Sequence, residues 1–346
     1  MREGFTVSDI EIVKLTQANI GDADGWTEVL AASWGADLPN FPAPSVAELV
    51  GSVSRPSVHA RMERWMAKID GRVVGVIEGN FGLTDNTHLV EFELDVHPDF
   101  RRSGVATALL AKLEELGAAD GRTTYISYAP DTIDPAAPRP DAGQKFLEKN
   151  GFVKGLDEIR RAADLDLVPA AELDDLLARA WEKADGYELV QWVNRCPDDL
   201  VDGVAYLDGR LITDAPSGDL DLQPQKVDAA RIRENEVRAI SRGQLNVDTA
   251  VRHVASGAVA GWTNISVSAG QEEHSWQGIT IVDPDHRGHR IGTILKIENH
   301  RLLRAYRPKM KWVQTWNAEV NDFMISINEA VGYRAQERWI AYQKKS

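Results

Sequence analysis

One block of this chain is written twice, and the repeat limits the folds open to it. Val96–Leu110 reads VHPDFRRSGVATALL, and Val282–Lys296 reads VDPDHRGHRIGTILK, at an offset of 186 residues. Val96 falls on Val282, Pro98 on Pro284, Asp99 on Asp285, Arg101 on Arg287, Thr107 on Thr293 and Leu109 on Leu295. The same offset, with no gap, carries Gly71 onto Gly257, Gly75 onto Gly261 and His88 onto His274. An unbroken register over that distance requires strands and turns of matching length. A period this long indicates duplicated domains rather than a solenoid of short repeats.

Both copies carry the same pattern of elements. RWMAKIDGRVVGVIEGNFGL is two β-rich runs joined at Asp70-Gly71, a hairpin signal, and AVRHVASGAVAGWTNISVS repeats it at Ser256-Gly257. THLVEFELDV and HSWQGITIV follow as third strands that end just before the proline. Helical spacing then links Val105, Leu109, Leu113 and Leu116, and likewise Ile291, Ile294, Leu295 and Leu302. Next come a strand (TTYISYA or KWVQTW), a helix closed by glycine (KNGF or AVGY), and a last strand. The helix PAAELDDLLARAWEKADG lies between the copies, so 1–168 is expected as an N-terminal domain, 169–186 as a connecting helix and 187–346 as a C-terminal domain. The proline-rich APDTIDPAAPRPDAG has no counterpart and is expected to be a loop.

Composition narrows the functions. A net charge of −14 argues against nucleic-acid binding, which needs a broad basic face, while it leaves room for an anion at a local basic site. No apolar run approaches the roughly 20 residues of a membrane span. The opening MREGFTVSDIEIV does not read as a secretory leader, and the one cysteine, Cys196, fits a reducing, cytoplasmic setting. That thiol is expected to be structural rather than a nucleophile.

Helix amides in a first turn lack intrahelical partners, and the helix dipole adds positive charge there. A strand turning straight into such a helix through small and basic residues makes an anion cradle. Arg101, Arg102, Ser103, Gly104, Val105 and Ala106 fit that description, as do Arg287, Gly288, His289, Arg290, Ile291 and Gly292.

RRSGVA and RGHRIG resemble the Arg/Gln-x-x-Gly-x-Gly/Ala loop of the GNAT N-acetyltransferases, and the flanking strands and helices resemble the rest of that fold. The resemblance covers the whole chain as a tandem of two GNAT domains, similar to acetyltransferases of the mycothiol-synthase type. It implies a mixed α/β (α+β) class, each domain a twisted, mainly antiparallel sheet flanked by helices. It also implies acetyl-CoA as cofactor, with both loops on its pyrophosphate, Val96 and Val282 pairing with the pantetheine arm, and Asn321 near that arm; Asn317, at the end of its strand, is a second polar candidate. Each copy departs from the family pattern. Arg290 stands where the motif has its first glycine. Leu147 and Asn328 stand where many members have a tyrosine acid, and Pro140 replaces the later asparagine in the first copy.

Acetyl transfer to an amine needs a base. Glu91, Glu93 and Asp95 alternate with apolar residues and share one strand face, which makes Glu93 a base candidate, although a solvated strand face gives the same pattern. In the second copy Glu273 and His274 are the candidates; a loop histidine is the plain alternative. In ITDAPSGDLDLQP, Asp214, Asp219 and Asp221 would attract a cationic amine, which favours catalysis in the second half, although aspartates also form turns. The expected activity is acetylation of a primary amine on a small, cationic metabolite or antibiotic. The competing expectation is a module that binds CoA or acyl-CoA without transferring anything. The expected partner is a small-molecule amine, with no nucleic acid, membrane or metal, and the expected state is a monomer or homodimer.

Overall fold

The computed structural model describes residues 9–346; residues 1–8 of the stretch read for a leader lie outside the described residues. The fold is mixed α/β, and the chain divides into two compact units. Unit 1 holds residues 1–156, 218–221 and 339–346; unit 2 holds 157–217 and 222–338.

In unit 1 the chain runs β1 (Glu11–Lys14), α1 (Ala23–Asp37), α2 (Val46–Ser54), β2 (Ala60–Ile69), β3 (Arg72–Gly82), β4 (Leu89–Val96), α3 (Val105–Ala119), β5 (Thr124–Asp131) and α4 (Ala142–Lys149). β6 (Val153–Asp164) begins here and continues in unit 2 from Asp157. Unit 2 adds α5 (Ala170–Trp181), β7 (Tyr187–Val193), α6 (Val201–Asp214), α7 (Ala229–Ser241), β8 (Leu245–His253), β9 (Val259–Val267), β10 (His274–Val282), α8 (Ile291–Tyr306), β11 (Trp312–Ala318), α9 (Asp322–Ala330) and β12 (Tyr333–Lys345). The last residues of β12, from Trp339, belong to unit 1. The sequence shows a final strand after each copy, and the structure shows which unit its residues join. The proline-rich stretch after β5 is irregular as far as Asp141.

Strands β1 to β4 form an antiparallel meander, and β5 lies parallel to β4. β7 to β10 repeat the meander in unit 2, with β11 parallel to β10 and β6 antiparallel to β11. Asp70 (φ 51°) and Gly71 (φ 77°) both take left-handed backbone at the β2–β3 turn, as the Asp-Gly signal requires. Strand alternation then sorts the side chains by face. Ile77, Phe81, Val90 and Phe92 meet Val105, Leu109 and Leu113 of α3, while Met66 and Val76 meet Trp26 and Val29 of α1 and Leu49 of α2. In unit 2, α8 packs against Val247, Val251, Ile265 and Val313, and α6 and α7 cover the opposite face around Trp262.

The helix tips are set by two equivalent glycines. A Cβ on Gly75 would stand 2.4 Å from a Val105 methyl, and one on Gly261 would stand 2.8 Å from an Ile291 methyl. Each glycine lets the first turn of its helix settle directly on the sheet.

Candidate active site

In each unit two parallel strands start together and then part. β4 and β5 pair from Leu89↔Thr124 to Glu91↔Ile126, and β10 and β11 pair from His274↔Trp312 to Trp276↔Gln314. Beyond those residues the edge of β4, from Phe92 to Val96, stays paired with β3 but has no partner in β5. β10 also breaks register against β9 between Gln277 and Thr280. The cleft so formed runs toward the turn that enters α3 or α8. Its walls carry the unpaired polar backbone that an extended ligand arm could match.

The two turns are built alike. After the proline come one 3-10 turn and two left-handed residues: Arg102 (φ 67°) and Gly104 (φ 91°) in unit 1, Gly288 (φ 89°) and Arg290 (φ 58°) in unit 2. The same backbone is required at the same two places, and each copy supplies one glycine and one arginine. Arg290 therefore keeps the conformation that glycine has in the other copy, at a strain of about 1–2 kcal/mol.

The arginines divide the work. Arg101 makes a two-pronged ion pair with Asp37 at 2.8 and 2.9 Å, donates to Ser33 Oγ at 3.1 Å, and donates from Nε to the Val96 carbonyl. Arg287 pairs with Asp214 at 2.9 Å and donates from Nε to the Val282 carbonyl at 3.4 Å. These two residues brace the turn against the last residue of α1 or α6. Arg102 and Arg290 are exposed and have no carboxylate partner among the described residues, so they supply the open positive charge. Sequence reading missed Asp37. Its signal is the Asp-x-Pro that ends both helices, Asp37-Leu38-Pro39 and Asp214-Ala215-Pro216.

Other expected ligand groups are engaged within the protein. Ser103 Oγ donates to the Phe100 carbonyl at 2.5 Å, and His289 Nδ1 lies 2.9 Å from the Lys183 carbonyl. Asn321 caps α9 by accepting from the Met324 amide, and Asn317 Oδ1 accepts from the Asn328 amide group at 2.6 Å. Val105, Ala106, Ile291 and Gly292 form the first helical turns, as the motif requires.

The three aspartates fall in different units. Asp214, besides bracing Arg287, pairs with Arg210 at 2.9 Å. Asp219 and Asp221 belong to unit 1, where the Asp219 amide donates to the Gly155 carbonyl. Asp221 pairs with Lys345 at 2.9 Å and lies 3.5 Å from His88.

Glu93 is different. β3–β4 register sets it opposite Glu78, on the face away from α3, with Glu91 and Asp95 on either side along the strand. Its carboxyl stays open to solvent but stands within a wall of protein. Desolvation first, then Glu78, Asp95 and Glu91, push its pKa to about 8. Desolvation also raises Asp95, opposed by hydrogen bonds from Ser33 and Trp34. The Tyr128 hydroxyl donates to Glu91 at 2.8 Å. A carboxylate poised near neutral pH, on the strand that parts from its neighbour, is suited to proton transfer.

The second candidates stand elsewhere. Glu273 and His274 lie at the paired start of β10, eight residues or about 26 Å of strand from Val282 and the basic turn. Burial lowers the His274 pKa, and its ring nitrogen lies 3.3 Å from the Gln314 amide. Cys196 is buried, and desolvation pushes its thiol up to about 12, so it is no nucleophile. Among the described residues no helix is long and apolar enough to cross a membrane.

Residues 26–152 match the model of the acetyltransferase (GNAT) family. An acetyltransferase of Photorhabdus laumondii subsp. laumondii is 32% identical over 111 residues, which is 32% of this chain and 73% of that one. The solved tandem GNAT protein from the clavulanic acid biosynthesis pathway superposes with a TM-score of 0.80 at 26% identity, over 97% of this chain and 98% of its own. A GCN5-related N-acetyltransferase from Sphaerobacter thermophilus shares the fold, with a TM-score of 0.67 at 16% identity over 99% of this chain and 97% of its own. The parted strands, the doubled basic turns and these likenesses agree: the chain belongs to the GNAT family and is an N-acetyltransferase built from two GNAT-like units.

Proposed function

We propose that the protein uses acetyl-CoA to acetylate the primary amine of a small, cationic metabolite or antibiotic by direct transfer, and that unit 1 carries out the transfer. The observation that carries this reading is the carboxylate group Glu78, Glu91, Glu93 and Asp95 beside the parting of β4 and β5. Its negative field draws a protonated amine, and Glu93 then removes the proton that makes the amine unreactive. The free amide edge of β4 from Phe92 to Val96 can donate to an acyl oxygen as charge develops there. The first-turn amides of α3, with Arg102, fit a pyrophosphate, while Arg101 holds the turn in shape through Asp37. Acetyl-CoA, when bound, supplies the activated acyl thioester.

Unit 2 supports a second role. Its cradle keeps Arg290 and the left-handed backbone, but β10 carries Gln277 and Thr280 rather than carboxylates where it leaves β11. This favours binding of the cofactor in unit 2 without transfer. The test is calorimetric titration with acetyl-CoA, followed by an assay of thiol release with a panel of amines. Binding with amine-dependent thiol release, lost in Glu93→Gln and kept in Arg290→Gln, supports the assignment. Turnover that survives Glu93→Gln refutes it.

A further inference from the structure

Unit 2 holds a pocket that none of the chemistry above uses. It lies where the end of α7 meets β8 and β9, has a volume of about 190 Å³, and is lined by Asn235, Arg238, Gln244, Asn246 and Asn264, together with Arg242 and small neighbours. The strand residues share one face because Asn246 pairs with Ser266 and Asp248 with Asn264 in the β8–β9 register. Almost every lining side chain is a hydrogen-bonding group, two are cations, and none is an acid.

The charge balance is unusual for this chain. Arg210, Arg233, Arg252, Arg301 and Arg304 of unit 2 each lie within ion-pair distance of a carboxylate. Arg238 does not, among the described residues; its guanidinium donates to Asn235 Oδ1 at 3.2 Å. Burial disfavours its charged form, with Glu234 opposing and Arg231 adding to that effect. Nor is it needed to cap the helix. The carbonyls of Arg238, Ala239 and Ile240 already accept from the amides of Arg242, Gly243 and Gln244. A partly desolvated guanidinium beside a second arginine, in a hollow walled by amides, has Glu234 nearby but no carboxylate in direct ion-pair contact to offset it.

We infer that this pocket is a binding site for a small molecule bearing an oxyanion, a carboxylate or a phosphate, held by Arg238 and Arg242 with its polar body against Asn246, Gln244 and Asn264. The volume is below that of a drug-sized site and suits a compact metabolite. The site also adjoins the cleft of unit 2. Asn264 lines the pocket, while its Oδ1 accepts from the Ile279 amide at 2.9 Å and fills the space over Gly278 that a Cβ would need. A ligand in the pocket therefore touches the residue that holds β10 in its irregular register, next to where β10 leaves β11. The inference does not depend on which unit transfers the acetyl group.

The experiment is calorimetric titration of the full chain, saturated with CoA to occupy any phosphate cradle, using inorganic phosphate and malonate as separate probes. Hydrogen exchange over residues 234–246 is followed in parallel. Saturable binding of one probe, with protection of that segment and at least tenfold weaker binding in Arg238→Gln and in Arg242→Gln, supports the site; the better probe identifies the oxyanion. Arg242→Lys, which keeps the charge, is expected to retain more affinity than Arg242→Gln. Absence of saturation by both probes up to about 10 mM, binding unchanged by both glutamine variants, or protection confined to other segments each overturns the inference.

Discussion

A pKa of about 8 at Glu93 makes a quantitative demand on the pH dependence of the reaction. With that value only about one Glu93 in ten is ionised at pH 7, half at pH 8 and about nine in ten at pH 9, so kcat/KM should rise close to tenfold from pH 7 to 9. The main cause is desolvation, but Glu78 is the largest charge acting on it, and the cross-strand register sets the two opposite each other. Glu78→Gln removes that repulsion, so the Glu93 pKa falls, the rising limb moves to lower pH and the rate at pH 7 increases. Glu93→Gln should lower kcat/KM by roughly 10²–10⁴ and abolish the limb. The acceptor amine also titrates, and two acceptors of different basicity separate the effects, because a limb that belongs to the enzyme stays in place. A profile flat from pH 6 to 9, or a limb that follows the amine and ignores Glu78→Gln, would refute the reasoning.

Three further outcomes follow from packing and charge. Arg160 and Glu337 form a fully buried ion pair in unit 2, with Gln314 accepting from Arg160 at 2.6 Å; Glu337→Leu alone should lower stability by about 3–5 kcal/mol, and a matched Arg160→Met should recover much of it, as chemical denaturation can measure. Lys296 is buried against Gln277 and the Tyr333 ring, and desolvation lowers its pKa to about 7. Since the folded pKa lies below the unfolded one, stability should increase as pH rises from about 7 to 10, and Lys296→Met should remove that rise. Gly75→Ala and Gly261→Ala should each push a helix tip off the sheet, with overpacking of about 1–3 kcal/mol seen as a lower melting temperature and weaker CoA binding in the affected unit.

What could be read from the sequence was whatever short-range chemistry decides. The Asp70-Gly71 turn, the strand–proline–helix passage and the helix spacing of Val105, Leu109 and Leu113 each depend on neighbours within a few residues. The doubled register then placed them in equivalent positions. At Arg101 a basic turn shows the charge but hides the brace; its partner Asp37 is 64 residues away. Asp219 and Asp221 sit in a loop of unit 2's chain but join unit 1, a pairing that no local pattern encodes. The raised pKa of Glu93 comes from burial first and then from an acid across the strand, where alternation gave its face but not the acid opposite. Arg238 and Arg242 follow no motif, because their pocket is assembled from a helix end and two strands.

The division of β12 between the units bears on how the protein is made. Unit 1 includes residues 339–346, so roughly the first 150 residues to be synthesised lack part of their own domain until nearly two hundred more have followed. During translation the N-terminal half must wait with that position unfilled, whereas all residues of unit 2 are made before that last segment. A fragment cut before α5 would carry the same defect permanently, and gene halves expressed apart should yield less folded protein than the two supplied together.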